Sequence, residues 1–213
     1  MRIALIGATG LVGSRLVPLL RHHDVLLLSR RAPGFAGVRE KVATADAWPA
    51  MLAGERLDAA VSALGSTWRK AGSWEVFEQV DRHRVVDFAE AALAAGARQM
   101  LSVSSVGADP RSLAEYLALK GRVDNDLAGL AFERLDLLRP GLLRGPRGGD
   151  RRLKERLGIA LSPFTNLFLR GRNDRFAAID AVEVAKAIAA LLGAGESGTF
   201  VHENREIRCL ASS

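Results

Sequence analysis

Two hydrophobic periods alternate along the first two thirds of the chain. Short apolar runs at Arg2–Ile6, Asp24–Leu28, Val38–Ala43, Asp58–Leu64, Gln99–Ser104 and Arg134–Arg139 read as strands. Most lack strict alternation, the pattern of parallel strands buried on both faces. Between them, Leu11–Arg21, Trp74–Ala95 and Leu113–Leu130 carry apolar residues at helical spacing. In the second of these, Val76, Val80, Val85, Phe88, Ala92 and Leu93 are expected to form one buried face. Such alternation predicts an α/β fold built as a doubly wound parallel sheet.

After Arg139 the pattern changes. Pro140-Gly141 ends a strand, and Gly145-Pro146-Arg147-Gly148-Gly149 reads as a flexible loop. A basic helix is expected from Arg151 to about Leu169, then a strand near Phe176–Ile179. A helix follows from Ala181 to Leu192 with Asp180 as its N-cap. This tail is too short for a second domain. Residues 1–213 are therefore expected to form one domain, with about 140–180 contributing a small C-terminal lobe over the carboxyl edge of the sheet.

Composition narrows the class. Of 213 residues, 48% are hydrophobic and 25% charged, which gives a real core and excludes a disordered tail, a disulfide miniprotein or a collagen-like chain. No apolar run reaches the ~18 residues of a membrane span. The first strand is too short for a signal peptide and runs straight into glycines. Cys209 is the one cysteine, and the four histidines show no metal-ligand spacing. A cytoplasmic protein with no membrane partner and no metal is the expectation. The net charge is +6, and the 30 basic residues are 25 Arg and 5 Lys. Arginine holds phosphates and carboxylates bidentately, so a small anionic ligand is expected. The charge is spread along the chain with no basic block interleaved with aromatics, which argues against nucleic acid. Association into a homodimer is left open.

The first strand runs into Gly7-Ala8-Thr9-Gly10-Leu11-Val12-Gly13, where a helix is expected to open. Glycines let the backbone turn and approach a pyrophosphate closely, and a helix N-terminus offers free N–H groups and a positive dipole end. The spacing is Gly-x-x-Gly-x-x-Gly, and its place between an N-terminal strand and an amphipathic helix makes it a dinucleotide-binding signal. Gly7, Thr9, Gly10, Leu11 and Gly13 are the candidate contacts. An NAD site would carry Asp or Glu at the end of the second strand to bind the ribose 2′-hydroxyl. This chain has Ser29-Arg30-Arg31. Guanidinium attracts a 2′-phosphate that carboxylate would repel, so NADP(H) is favoured over NAD(H).

The single tyrosine lies in Tyr116-Leu117-Ala118-Leu119-Lys120, with lysine at i+4 on the same helical face. An ammonium beside a phenol favours phenolate. Such a tyrosine can exchange a proton with a carbonyl or hydroxyl as hydride moves. Upstream, the fifth strand ends in Ser104-Ser105-Val106-Gly107 at the carboxyl edge, where a hydroxyl can bond the same oxygen.

Taken together, Gly7–Gly13, Ser104-Ser105, Tyr116-x-x-x-Lys120 and Leu138-Arg139-Pro140-Gly141 resemble the short-chain dehydrogenase/reductase superfamily, in particular its extended or atypical branch. Leu64-Gly65-Ser66-Thr67 with Lys70-Ala71-Gly72, Val80-Asp81-Arg82, and Ser104 through Asp109 are similar to the Tat-interactive-protein-like NAD(P)-binding oxidoreductases. The similarity spans about residues 1–192. It implies an NAD(P)-binding Rossmann fold with a small substrate lobe, Tyr116 as acid/base and Lys120 on the nicotinamide ribose. Ser105, or alternatively Ser104, would orient substrate, and Leu64, Gly65 and Pro140 would line the cofactor. Two departures stand out. Trp74–Ala95 lacks the asparagine that serves a proton relay in many members, with Asp81 where Asn is frequent, and the lobe is short beside nucleotide-sugar enzymes. The leading expectation is an NADP(H)-dependent oxidoreductase acting on a small carbonyl or alcohol. A non-catalytic NADP(H) sensor and an epimerase or dehydratase are the alternatives.

Overall fold

The computed structural model describes residues 1–65, 73–145 and 175–212. Seven short strands make one sheet: β1 (Arg2–Ile6), β2 (Asp24–Ser29), β3 (Arg39–Val42), β4 (Ala59–Ser62), β5 (Gln99–Val103), β6 (Arg134–Arg139) and β9 (Gly198–Glu203). Their order is β3-β2-β1-β4-β5-β6-β9, and every neighbouring pair is parallel. β7 (Leu143–Arg144) and β8 (Ile179–Asp180) form a separate two-stranded parallel ribbon. The fold is the expected doubly wound α/β sheet of the Rossmann type. Its order reverses between β1 and β4, and the crevice outside their carboxyl ends is where ligands of such sheets bind.

The apolar strands lack alternation because both faces are covered. Ile3 and Leu5 pack with α1 (Gly13–Leu16), α6 (Ala181–Leu191) and α7 (Asn204–Ala211) on one face. Ala4 and Ile6 pack on the other with α2 (Trp48–Met51), α4 (Arg84–Ala94) and α5 (Glu115–Ala128).

Three expectations are corrected, and two elements are added. The helix placed at Leu11–Arg21 is split into α1 and a 3-10 turn at Val17–Leu20. Pro18 has no N–H to continue the α-helical ladder, so the chain tightens there. The helix placed at Trp74–Ala95 is α3 (Trp74–Glu78), a π-helical turn at Gln79–His83, and then α4. The wider turn shifts the buried face to Phe77, Asp81, Val85, Phe88 and Ala92, and Val76 is exposed. The strand near Phe176–Ile179 is confined to Ile179–Asp180, with the Arg175 guanidinium 4.8 Å over an exposed Phe176 ring. Finally, β9 and α7 were not foreseen: Gly198–Glu203 is an edge strand of mixed exposure, too polar to stand out as an apolar run. The basic helix from Arg151 and most of the expected lobe lie outside the described residues.

Candidate active site

The glycine turn after β1 is held by backbone contact alone. Gly7 has φ +84°, and a Cβ there would lie 2.4 Å from the Ala63 carbonyl carbon and 2.5 Å from Leu64 N. A Cβ on Gly13 would lie 2.2 Å from Gly7 O. Only glycine lets the turn close against the end of β4 with Ala63 and Leu64 beneath it. Gly10 N–H donates to Gly7 O at 2.9 Å and Ser14 N–H to Gly10 O at 3.0 Å. Among the described residues, the amides of Leu11, Val12 and Gly13 donate to no backbone carbonyl. Three amides in succession at the start of a helical segment suit an anion. Thr9 is exposed beside them. At the end of β2, Ser29 Oγ donates to Arg31 O at 2.8 Å and shapes the turn, while Arg30 and Arg31 are exposed and take part in no ion pair among the described residues.

From this turn the site continues inward through Gly65. A Cβ on Gly65 would lie 3.7 Å from Asp81 Oδ1. Asp81 Oδ1 in turn accepts from Lys120 Nζ at 2.8 Å, with side chains 0% and 6% exposed respectively. Burial opposes the Lys120 ammonium, but Asp81, Tyr116 and Asp124 together outweigh it and raise the lysine above its ordinary value. Tyr116, one turn earlier on α5, is 43% exposed, so the pair spans the boundary between solvent and core. Its ring lies 5.9 Å from that of Phe77, which is 5.6 Å from Trp74. These aromatics of α3 and α5 hold the phenol at the rim of the site.

Asp124, one turn beyond Lys120, binds the Arg139 guanidinium at 2.9 and 2.8 Å. Burial raises its carboxyl above the ordinary range against the pull of Ser104, Arg139 and Lys120. Asp124 Oδ1 and Ser104 Oγ are both buried, and the hydroxyl lies close enough to the carboxyl to favour its charged form. Ser105 is half-buried and donates to Val106 O at 3.3 Å. Pro140 O accepts from Val106 N–H at 3.0 Å, which ties the end of β6 to this serine turn. Buried Asn204 of α7 clamps the next residues, accepting from Gly141 N–H at 2.9 Å and donating to Ala177 O at 2.8 Å.

Of the residues singled out in the sequence, Gly7, Gly13, Leu64, Gly65, Tyr116, Lys120, Ser105 and Pro140 thus gather along the carboxyl ends of β1, β4, β5 and β6. Ser66, Thr67, Lys70, Ala71 and Gly72 lie outside the described residues. Phe77, Asp124 and Asn204 had no sequence signal as site residues. Asp81 had one, as an acid where asparagine is frequent, but its partner became evident only in three dimensions.

The seven-stranded parallel Rossmann sheet carries a glycine turn at its first strand and a Tyr-x-x-x-Lys helix at its carboxyl edge, the combination on which the resemblance to short-chain dehydrogenases/reductases rests. Solved structures share this fold. MoeE5 in complex with UDP-glucuronic acid and NAD has a TM-score of 0.71 at 18% identity, covering 94% of this chain and 75% of that one. The human epimerase family protein SDR39U1 (isoform 2) with NADPH has a TM-score of 0.62 at 24% identity, covering 97% and 77%. No family model matches the sequence. Among curated relatives, Protein FMP52-1, mitochondrial, of Scheffersomyces stipitis is 34% identical over 171 residues, covering 76% of this chain and 75% of the relative. Protein FMP52, mitochondrial, of Candida albicans is 31% identical over 210 residues, covering 93% and 90%. The chain belongs to the FMP52 family. The expectation of a cytoplasmic protein is thereby overturned, since these relatives are named mitochondrial. A composition without a long apolar run says nothing of import into an organelle, which is why composition misled.

Proposed function

We propose that this protein is an NADP(H)-dependent oxidoreductase acting on a small carbonyl or alcohol that carries an anionic group. The observation that carries the reading is the half-exposed Tyr116 one turn above the buried, charged Lys120. The glycine turn and its three unpaired amides suit the pyrophosphate, and Arg30 and Arg31 suit a 2′-phosphate. The solved relatives that hold NAD or NADPH support a nicotinamide dinucleotide. When bound, the nicotinamide supplies or accepts the hydride. Tyr116 Oη gives its proton to the carbonyl oxygen on reduction, or takes one from the alcohol on oxidation. Ser105 Oγ hydrogen-bonds that same oxygen; its partial exposure favours it over the buried Ser104. Lys120 Nζ binds the ribose and places positive charge beneath the phenol.

Tyr116→Phe tests the assignment. It is expected to leave NADPH affinity within a few fold and to lower turnover of a carbonyl substrate by ~10²–10⁴-fold. Retained turnover would remove the dehydrogenase mechanism and leave a cofactor sensor as the reading. The same assay run across ionic strength tests substrate charge. The net charge of +6 and the exposed Arg144 near the carboxyl edge favour an acid, whose capture slows as salt rises. Capture indifferent both to salt and to reversal of Arg144 would make the substrate neutral.

A further inference from the structure

The Lys120–Asp81 pair has a property that the reaction alone does not require. Both side chains are essentially out of water, and Lys120 Nζ to Asp81 Oδ1 is 2.8 Å. An ammonium has three donors, and Asp81 occupies one of them. The other two have no hydrogen-bond partner among the described residues. Asp81 approaches from the π-helical turn, an element separate from Tyr116's own helix, and lies close to Gly65. The groups facing the ammonium are Asp81 from that turn, and Tyr116 and Asp124 from α5; Asp124 is itself engaged by Arg139 of β6. Asp81 is therefore its one directly bonded counter-ion.

We propose that Asp81 is the counter-ion that keeps Lys120 charged and aimed, with two donors left for the cofactor, so that cofactor binding becomes independent of pH across the neutral range. This rests on the oxidoreductase reading above. Asp81 acts through Lys120 and is a positioning residue. The physical reason is that a buried ammonium without a counter-ion loses its proton instead of bearing the desolvation. Burial is already the largest single influence on Lys120 and acts against its charge. Removal of Asp81's charge leaves burial unopposed by any directly bonded anion. A neutral lysine keeps its place but donates more weakly, and its positive charge under the phenol is gone.

The test is NADPH titration by fluorescence at about pH 6 and about pH 9, which bracket the range over which a desolvated lysine titrates. The wild-type protein is expected to bind with nearly equal affinity at both. Asp81→Asn, nearly the same shape without the charge, is expected to weaken binding about ten-fold or more at the higher pH and to recover most of it at the lower. Lys120→Met is expected to bind weakly at both, which places the pH response on Lys120. Asp81→Asn with pH-independent affinity, whether weak or strong, overturns the proposal, because a purely structural role would change affinity without a titration. Should Asp81→Asn not fold, the wild-type profile decides alone: affinity falling steeply between the two pH values overturns it, and a flat profile supports it. Wild-type protein that binds no nicotinamide dinucleotide at either pH sinks the cofactor reading and this inference with it, a result distinct from binding by the wild type with a pH-independent Asp81→Asn.

Discussion

Arg30 stands at the end of β2, where a carboxylate would select NAD by binding the ribose 2′-hydroxyl. Its side chain is exposed and unpaired among the described residues, so nothing in the protein competes with a phosphate for the guanidinium. One charge-assisted contact of this kind contributes about 1.5–3 kcal/mol, roughly 10- to 150-fold in affinity. Arg30→Asp is expected to weaken NADPH by that factor and to reverse the preference toward NADH. Titrations showing equal affinity of the unmutated protein for the two cofactors would remove the assignment. Arg30, Tyr116 and Lys120 could be singled out from the sequence because local spacing carries their meaning: one residue past a strand, or one helical turn apart. Asp81 could be noticed but not paired. Its partner is 39 positions away, and its burial depends on a helical turn with one residue too many for the ordinary period.

Helix α6 shows how much of an element can be written locally. Asp180 Oδ1 accepts from Val182 N–H at 2.9 Å, and Glu183 accepts from Asp180 N–H at 3.0 Å, a reciprocal cap on free amides of the first turn. Asp180→Ala removes half of it and should destabilise the protein by about 0.5–2 kcal/mol. Urea unfolding with unchanged slope and a lowered midpoint is the expected result; an unaltered midpoint would show that the cap contributes nothing. The segment from Trp74 to Ala94 teaches the opposite lesson. Its helical period predicts Val76 and Val80 inside, yet the π-helical turn puts Phe77 and Asp81 there. A π turn has no reliable local signature, and this one persists because Asp81 meets Lys120 and Phe77 meets Tyr116.

The sheet as a whole is tied at its far edge by a second buried polar cluster. Asp136 of β6 accepts from Arg134 at 2.8 and 2.8 Å, from Gln99 at 2.9 Å and from His202 of β9 at 2.9 Å. Gln99 also donates to Leu191 O at 2.8 Å, joining β5, β6, β9 and α6 through one carboxylate. Burial pushes the Asp136 carboxyl up, but His202, Arg134 and Gln99 together hold it below its ordinary value of 3.8. A carboxylate lowered on folding stabilises the protein above its unfolded value, and that contribution fades as pH falls through the folded value. Asp136→Asn is therefore expected to cost about 3–5 kcal/mol at neutral pH, because Arg134 loses its buried partner. The gap from wild type should narrow in acid below about pH 4. Thermal melts in which the gap is the same at neutral and acid pH would contradict this role.

The alternation of strands and helices through β6, the glycine turn and the Tyr-Lys helix follow from sequence because each rests on contacts a few residues apart or on the burial demanded by a run of apolar side chains. Gly7 and Gly13 are of this kind, since the turn they allow is local even though Gly7 closes it against Ala63. Tertiary structure alone decided that Lys120 carries Asp81, that Arg139 carries Asp124, and that Asn204 on the last helix clamps the loop after β6. Each of these joins residues 15 or more positions apart, and a lone polar residue reads the same in sequence whether it faces water or a buried partner.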